Sequence, residues 1–417
     1  MEYISSKNIC LLIRDTLKLI DRRPMDHGSK TGYIMCKMLM AKGGYEQYEL
    51  ADFLLLATLH DIGVYKTGEV DSVKEFEFVN PMPHSIYGFL FMKYISPMPD
   101  KARMLLYHRT PCSELRKMDF EYKFETEVLM LAEAADRYFT AMGDSFDHTI
   151  FRRQEGSVYS AEVLDLLDAA VENDAIFMHL ADESYQMELD DILQYMIFPN
   201  EEKKTYMEML MYCIGFRSEE FLIDAVTSLS VAEELGRILE INAEDREKLY
   251  YGTLIHDIGM ISVPKEIIEA PRKLSAEEFE TVKHHVEKEE RILLNRMSPE
   301  VVSIAVAHHE RMDGSGYPKG LTSDDMNNLQ YILQVADVVT GMTCKRSYRD
   351  PLTKEEIIEH LYAESDARRL RGKVINAFIE NYDEIMKTVD VKSRETMAKY
   401  DRLRTAYIKV KDKLHNS

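Results

Sequence analysis

"TLHDIG" at residues 58–63 and "LIHDIG" at residues 254–259 are nearly the same hexapeptide, about 200 positions apart. The echo extends beyond them. His84, in "MPHSIYG", has a counterpart in His285. His108 has one in His308, and Asp136 of "EAADRYFTAM" has one in Asp337 of "QVADVVTGM". Four separated motifs keep their order and nearly their spacing, a register that two unrelated domains would not produce by chance. The chain therefore reads as a duplicated domain.

Between these motifs the periodicity is helical. "EVLMLAEAADRYFTAM" (127–142) and "SLSVAEELGRILEI" (228–241) place apolar residues three and four apart, and alternating strand-like runs are scarce. Turn signals cut the helices at "DRRPMDHG" (21–28), "NPMPHS" (80–85), "SPMPDK" (96–101), "IFPNEEKK" (197–204) and "DGSGYPKG" (313–320). Beyond Pro351 the sequence is rich in Glu, Lys and Arg and reads as amphipathic helices, the last an exposed or partner-binding tail. A length of 417 residues suits two domains of about 200 each. The expectation is an all-α protein of two tandem helical bundles, 1–197 and 198–417, the second carrying a helical tail.

Composition narrows the function classes. Basic residues number 52 and acidic residues 73, giving a net charge of −21. A binder of long DNA or RNA should be basic, so that partner is disfavoured. A small phosphorylated ligand is compatible, because metal ions and a few local arginines can supply positive charge. No apolar run approaches the ~18 residues of a membrane helix, and the opening "MEYISSKNIC" lacks the pattern of a signal peptide. The five cysteines show no CxxC spacing and read as reduced thiols of a cytoplasmic protein.

The repeated set is a chemical one. Neutral imidazole and carboxylate oxygen are ligands for Fe, Mn or Zn. An aspartate beside a histidine can bridge two ions, and an ion pair of this kind activates water and stabilises both oxygens of an in-line displacement at phosphorus. Hydrolysis of a phosphate ester is the reaction that suits this set. A single His-Asp pair would be read as structural, but two copies with the same downstream order point to metal. The stretch "HHERMDGSGYPKG" (308–320) adds adjacent imidazoles and three glycines within seven residues. That turn either brings backbone against a ligand or only joins two helices.

These motifs resemble the HD superfamily of metal-dependent phosphohydrolases. From about residue 217 to 351 the resemblance is to its HD-GYP branch, carried by "HDIG", "PRKLSAEEFETVKHH", "AVAHHERMDGSGYPKGL", "VADVVTGM" and "RSYR". The resemblance implies metal ligation by Glu220, His256, Asp257, His285, His308, His309 and Asp337, with His256 and Asp257 at the reacting centre. Asp224 stands where the family carries a further histidine, and Met260 where a phosphate-contacting lysine is usual. Arg346 and Arg349 fall at its basic phosphate-binding positions, and Arg311, Gly316 and Tyr317 over the substrate pocket. In the first copy the corresponding ligands are His27, His60, Asp61, His84, His108 and Asp136. Arg109 there replaces the second histidine of the pair, and Lys66 is a candidate cation for the substrate. Two or three divalent ions per site are implied, Fe or Mn foremost.

The expected activity is hydrolysis of a cyclic dinucleotide, cyclic di-GMP or cyclic GMP-AMP, by a cytoplasmic enzyme. The tail offers a surface for a homodimer or a protein partner. Two other readings stand beside it: a catalytically weakened sensor of the same ligand, and a nucleotide or alarmone phosphohydrolase working through the first copy.

Overall fold

The computed structural model describes residues 3–68, 83–215, 218–345 and 349–415. Every regular element among them is a helix, and strand-like pairing is limited to isolated bridges such as Ile4 with Met297 and Asp313 with Thr322. No helix among the described residues is long and apolar enough to cross a membrane. The chain forms two compact units. One, the carboxy-terminal unit, comprises Met1–Leu19 and Met207–Asp401; the other, the amino-terminal unit, comprises Ile20–Tyr206 and Arg402–Ser417. The division expected at 197/198 does not anticipate this exchange of chain ends.

Helix α1 (Ser6–Lys18) belongs to the carboxy-terminal unit, where Ile9, Leu12, Ile13 and Leu17 are fully buried. The amino-terminal unit is built on α2 (Arg22–Lys42), α3 (Gln47–Thr58), α4 (Pro83–Tyr94), α5 (Ala102–Tyr107), α6 (Lys123–Met142) and α7 (Ala161–Asp174), with α2 packed against α3, α6 and α7. Residues 21–28, expected as a turn, open α2 instead. Asp21 caps the helix by accepting from the Arg23 N–H. Pro24 sits in the first turn, where a backbone N–H has no intrahelical partner to lose.

The carboxy-terminal unit repeats the plan with α8 (Glu219–Ile238), α9 (Ala243–Ile255), α10 (Ala276–Leu293), α11 (Pro299–Ala305) and α12 (Asn328–Thr343). Helix α8 packs on α9 and α12 as α2 packs on α3 and α6. Its helix starts are fixed locally: Asn242 caps α9, and Ser275 with Glu278 and Asn327 with Gln330 form capping boxes on α10 and α12. Then come α13 (Lys354–Asp366), α14 (Gly372–Glu380) and the 34-residue α15 (Tyr382–His415). The first two are the amphipathic helices that the sequence leads one to expect, and the start of the last, expected as a tail, is buried with them. Ile357, Leu361, Ile375, Phe378 and Ile385 are buried in one core with Leu235, Ile332, Val335 and Val339. Each such side chain contributes roughly 1.5–3 kcal/mol of burial.

The glycine of each HDIG hexapeptide has a steric cause. A Cβ on Gly63 would lie 2.1 Å from the His84 carbonyl oxygen, and one on Gly259 would lie 2.0 Å from the His285 carbonyl oxygen. Only glycine lets the turn after the first His-Asp pair close onto the helix that carries the next histidine. The duplicated motif is thus a pair of duplicated backbone contacts.

Candidate metal centres

In the carboxy-terminal unit α9 ends at His256, its C-cap, so His256 and Asp257 leave the helix together. His285 comes from α10, His308 and His309 follow α11, and Asp337 lies on α12. Three of these imidazoles are oriented identically. The Nδ1 of His256, His285 and His308 lies 2.6, 2.6 and 2.7 Å from the carbonyl oxygens of Thr253, Val282 and Ala305. A carbonyl only accepts, so each Nδ1 donates and each Nε2 of the neutral ring presents a lone pair. The Nε2 atoms of His285 and His308 then face each other at 3.2 Å. Asp257 Oδ1 is 3.4 Å from the first and 3.7 Å from the second, and its Oδ2 is 3.3 Å from His256 Nε2. His309 Nδ1 is 3.3 Å from Asp337 Oδ2.

Two lone pairs pointed at each other beside a carboxylate repel unless a cation lies among them. Protonation is a poor source for it. Burial pushes the His285 imidazole down to about 4 against the opposing pull of Asp257. Burial, and then the neighbouring imidazoles, hold His308 well below its ordinary value. The residues therefore fit divalent metal. Two groups of donors lie within 4.8 Å of one another, His285–His308–His309 and His256–Asp257–Asp337. Glu220, in the first turn of α8, and Asp224, buried on the same helix, join neither group.

The GYP loop is clasped by a residue the sequence reading passed over. Glu310, fully buried, accepts from the backbone N–H groups of Lys319 at 2.7 Å and Leu321 at 2.9 Å. Gly316 lies against the start of the loop; a Cβ there would be 2.4 Å from Glu310 Cα and from the Arg311 nitrogen. The Tyr317 N–H donates to the His309 carbonyl at 3.2 Å, and its ring lies 4.7 Å from the His309 ring. Burial, followed by the charges of Asp337 and Asp257, pushes the Tyr317 hydroxyl up, so it remains a donor. Arg311 donates to the His308 and Glu310 carbonyls. A cavity of about 500 Å³ opens here, lined by His309, Arg311, Tyr317, His360, Glu364 and Arg369 among others. Arg349 donates to the Gly341 carbonyl, which engages the fork expected at phosphate. Arg346 lies outside the described residues.

The amino-terminal unit repeats the arrangement with its own chemistry. The Nδ1 atoms of His60 and His108 donate to Ala57 and Leu105 carbonyls at 2.6 and 2.7 Å. Asp61 lies 3.3 Å from His60 Nε2 and 3.4 Å from His84 Nε2. The donor groups are His27–His60–Glu133 and His60–Asp61–His108. Asp136 joins neither; it accepts from His27 Nδ1 at 2.5 Å and so orients that ring. Glu133, one turn earlier on α6, enters the cluster in its stead. It also binds Arg109 through Nε at 3.0 Å and Nη2 at 2.9 Å, and Arg137 pairs with it as well. A guanidinium thus stands in this copy at the position His309 holds in the other. Lys66 lies on the one-turn helix Val64–Thr67 that follows the His-Asp pair.

Exposure separates the two centres. The Asp257 side chain is 33% exposed, whereas Asp61 is 0% exposed. One centre is open to a ligand and the other is sealed.

A sequence model of the HD domain matches residues 208–373. The 3'3'-cGAMP-specific phosphodiesterase 1 of Vibrio cholerae is 24% identical over 377 residues, covering 86% of this chain and 87% of that relative. The cyclic di-GMP phosphodiesterase of Thermotoga maritima is 35% identical over 168 residues, 40% of this chain and 44% of that relative. Among solved structures, that of a cyclic GMP-AMP specific phosphodiesterase from V. cholerae, V-cGAP3, superposes with a TM-score of 0.60 at 15% identity, covering 92% of this chain and 98% of its own. This likeness bears on the fold. Residues 208–373, which carry the second His-Asp cluster and the Gly316-Tyr317-Pro318 loop, are thus similar to the HD domain.

Proposed function

We propose that this protein is a metal-dependent phosphodiesterase that opens a small cyclic dinucleotide, cyclic di-GMP or cyclic GMP-AMP, to a linear dinucleotide or mononucleotides. One observation carries the reading. The opposed lone pairs of His285 and His308, with Asp257 between them and His256, lie at an open site beside a cavity of about 500 Å³. The relatives whose names record these substrates support the choice of ligand.

His256, Asp257, His285, His308, His309 and Asp337 would hold two divalent ions, with Glu220 and Asp224 in reserve for a third. Imidazole mixed with carboxylate suits Fe or Mn. Ions held there supply Lewis acidity, lowering the pKa of water and neutralising charge at phosphorus. The protein's own part is orientation. The three backbone carbonyls lock the imidazoles in one tautomer, Glu310 fixes the loop, and the Tyr317 hydroxyl and Arg311 offer donors to a phosphate or its ring. Arg369 and His360 form the far wall of the cavity, where the remainder of a dinucleotide would rest.

The sealed amino-terminal centre, with His27, His60, Asp61, His84 and His108, is assigned a structural or regulatory metal. Closed ligand shells are the mark of structural sites, and open positions that of catalytic ones. The copies are taken as 1–197 and 198–417. The enzyme is assigned to the cytoplasm, which the five buried free cysteines support, and α15 offers a surface for a second copy or a partner protein.

The test is product analysis of the full chain with Mn²⁺ or Fe²⁺ and each dinucleotide. Asp257→Ala should abolish turnover and Asp61→Ala should preserve it. Loss in Asp61→Ala with retention in Asp257→Ala would move the activity to the amino-terminal centre. Tight binding without turnover would favour a sensor, a reading that Met260 and the engaged Arg349 keep in view.

A further inference from the structure

We propose that Glu289 supplies the carboxy-terminal centre with an additional negative charge that raises its affinity for divalent cations. The inference rests on the metal reading of that centre and adds a residue that neither the repeat nor the motifs single out.

Glu289 lies on α10 one turn beyond His285, on the same helix face. It is fully buried, and neither carboxylate oxygen has a hydrogen-bond partner. A buried carboxyl without a partner ionises only when a counter-charge is at hand, and burial followed by the charges of Asp257 and Glu290 holds Glu289 well above the usual carboxylate range. Among the described residues no side chain provides that counter-charge. After burial itself, the charges acting most strongly on Glu289 are those of Asp257 and Glu290, both of its own sign. Lys288, next to it in the chain, donates to Ser262 Oγ at 3.0 Å, and Lys319 pairs with the adjacent Glu290 at 2.7 Å. A cation that lets this group ionise must come from solution, and the donor set around Asp257 is where it would be held.

The duplication sharpens the point. The position equivalent to Glu289, four residues after the repeated histidine, is Gly88 in the first copy. A Cβ there would already meet Leu105 Cδ2 at 3.3 Å and the His60 carbonyl oxygen at 3.4 Å. The sealed centre leaves little room for a side chain at this position, whereas the open centre has a carboxylate. The two copies differ in charge where they otherwise share a backbone plan.

Glu289 is a positioning residue rather than a ligand, since its oxygens join neither donor group. The experiment is Mn²⁺ titration of the full chain, followed by bound metal per chain and by the Mn²⁺-induced rise in thermal midpoint. Glu289→Gln keeps the shape and removes the charge, and should weaken the affected sites roughly tenfold to a hundredfold, as loss of outer-shell partners does. Glu289→Asp keeps the charge and should restore most of that affinity. The metal-free Glu289→Gln protein should melt no lower than the native chain, because a buried neutral acid has become a neutral amide of the same shape. Unchanged Mn²⁺ affinity in Glu289→Gln would overturn the proposal while leaving the metal centre standing. A native chain that binds no Mn²⁺ or Fe²⁺ would overturn the metal reading itself.

Discussion

Replacing Gly259 by alanine adds one carbon atom, and the structure fixes what it would do. The new Cβ would stand 2.0 Å from the His285 carbonyl oxygen. Carbon–oxygen contacts settle near ~3.3 Å, so the shortfall is about 1.3 Å. The obstacle is backbone rather than the end of a flexible side chain, so α10 must retreat. His285 rides on that backbone, and its Nε2 lies 3.4 Å from Asp257 and 3.2 Å from His308. A displacement of about 1 Å is comparable with the margin within which two ligands can share an ion. Misplacement on that scale costs about a hundredfold in rate, and forced overpacking costs about 1–3 kcal/mol. Gly259→Ala should therefore lose metal from the carboxy-terminal centre, lower turnover of the cyclic dinucleotide by a hundredfold or more, and lower the thermal midpoint. Gly63→Ala meets the His84 carbonyl oxygen at 2.1 Å and should destabilise the amino-terminal unit while leaving turnover in place. Metal content by elemental analysis, melting and product analysis read these effects together. A Gly259→Ala protein with native metal content and native turnover would refute the claim that this contact sets the geometry of the centre.

Two further outcomes follow from the same geometry. Burial pushes the His285 imidazole from 6.5 to about 4, so between those values the unfolded chain binds the extra proton. Stability of the metal-free carboxy-terminal unit should rise with pH through that window and fall by about 3 kcal/mol on acidification across it, with a flat melting profile between pH 4.5 and 7 as the contrary result. Glu310→Ala removes the acceptor for the Lys319 and Leu321 N–H groups and should cost about 3 kcal/mol locally. Amide exchange at those two positions should accelerate and KM for the dinucleotide should rise with metal content unchanged; undiminished protection would show that the loop holds itself.

What was legible in the sequence is what is local. Helix starts are written in Ser, Asn and Thr caps, and the histidines fall at helix ends or on buried helix faces whose spacing the duplication repeats. The misreadings have definite causes. Pro24 looked like a breaker because its place in the first turn depends on where the helix begins, which Asp21 decides. Helix α15 looked like an exposed tail because its charged residues outnumber the few apolar ones, such as Ile385 and Val389, that are nonetheless buried. Glu133 was passed over because its counterpart is Gln334, an amide that donates to the Ala307 carbonyl, so the repeat gave no matching acid. Its role emerges only when Arg109 is seen to bind it. Arg369 and His360 reach the cavity through tertiary folding alone, and no spacing in the chain announces them.

The exchange of chain ends bears on how this polypeptide is born. Tyr3 and Ile4 are tied to Ser298 and Met297, so they find their places only after residues nearly 300 positions later have been made. Tyr407, stacked 4.3 Å from Tyr87, joins the amino-terminal unit only after the whole of Met207–Asp401 has been made. Neither half can be excised as one continuous fragment without leaving part of itself behind, so expression of residues 20–206 or 207–401 alone should yield a less stable product than the same residues within the whole.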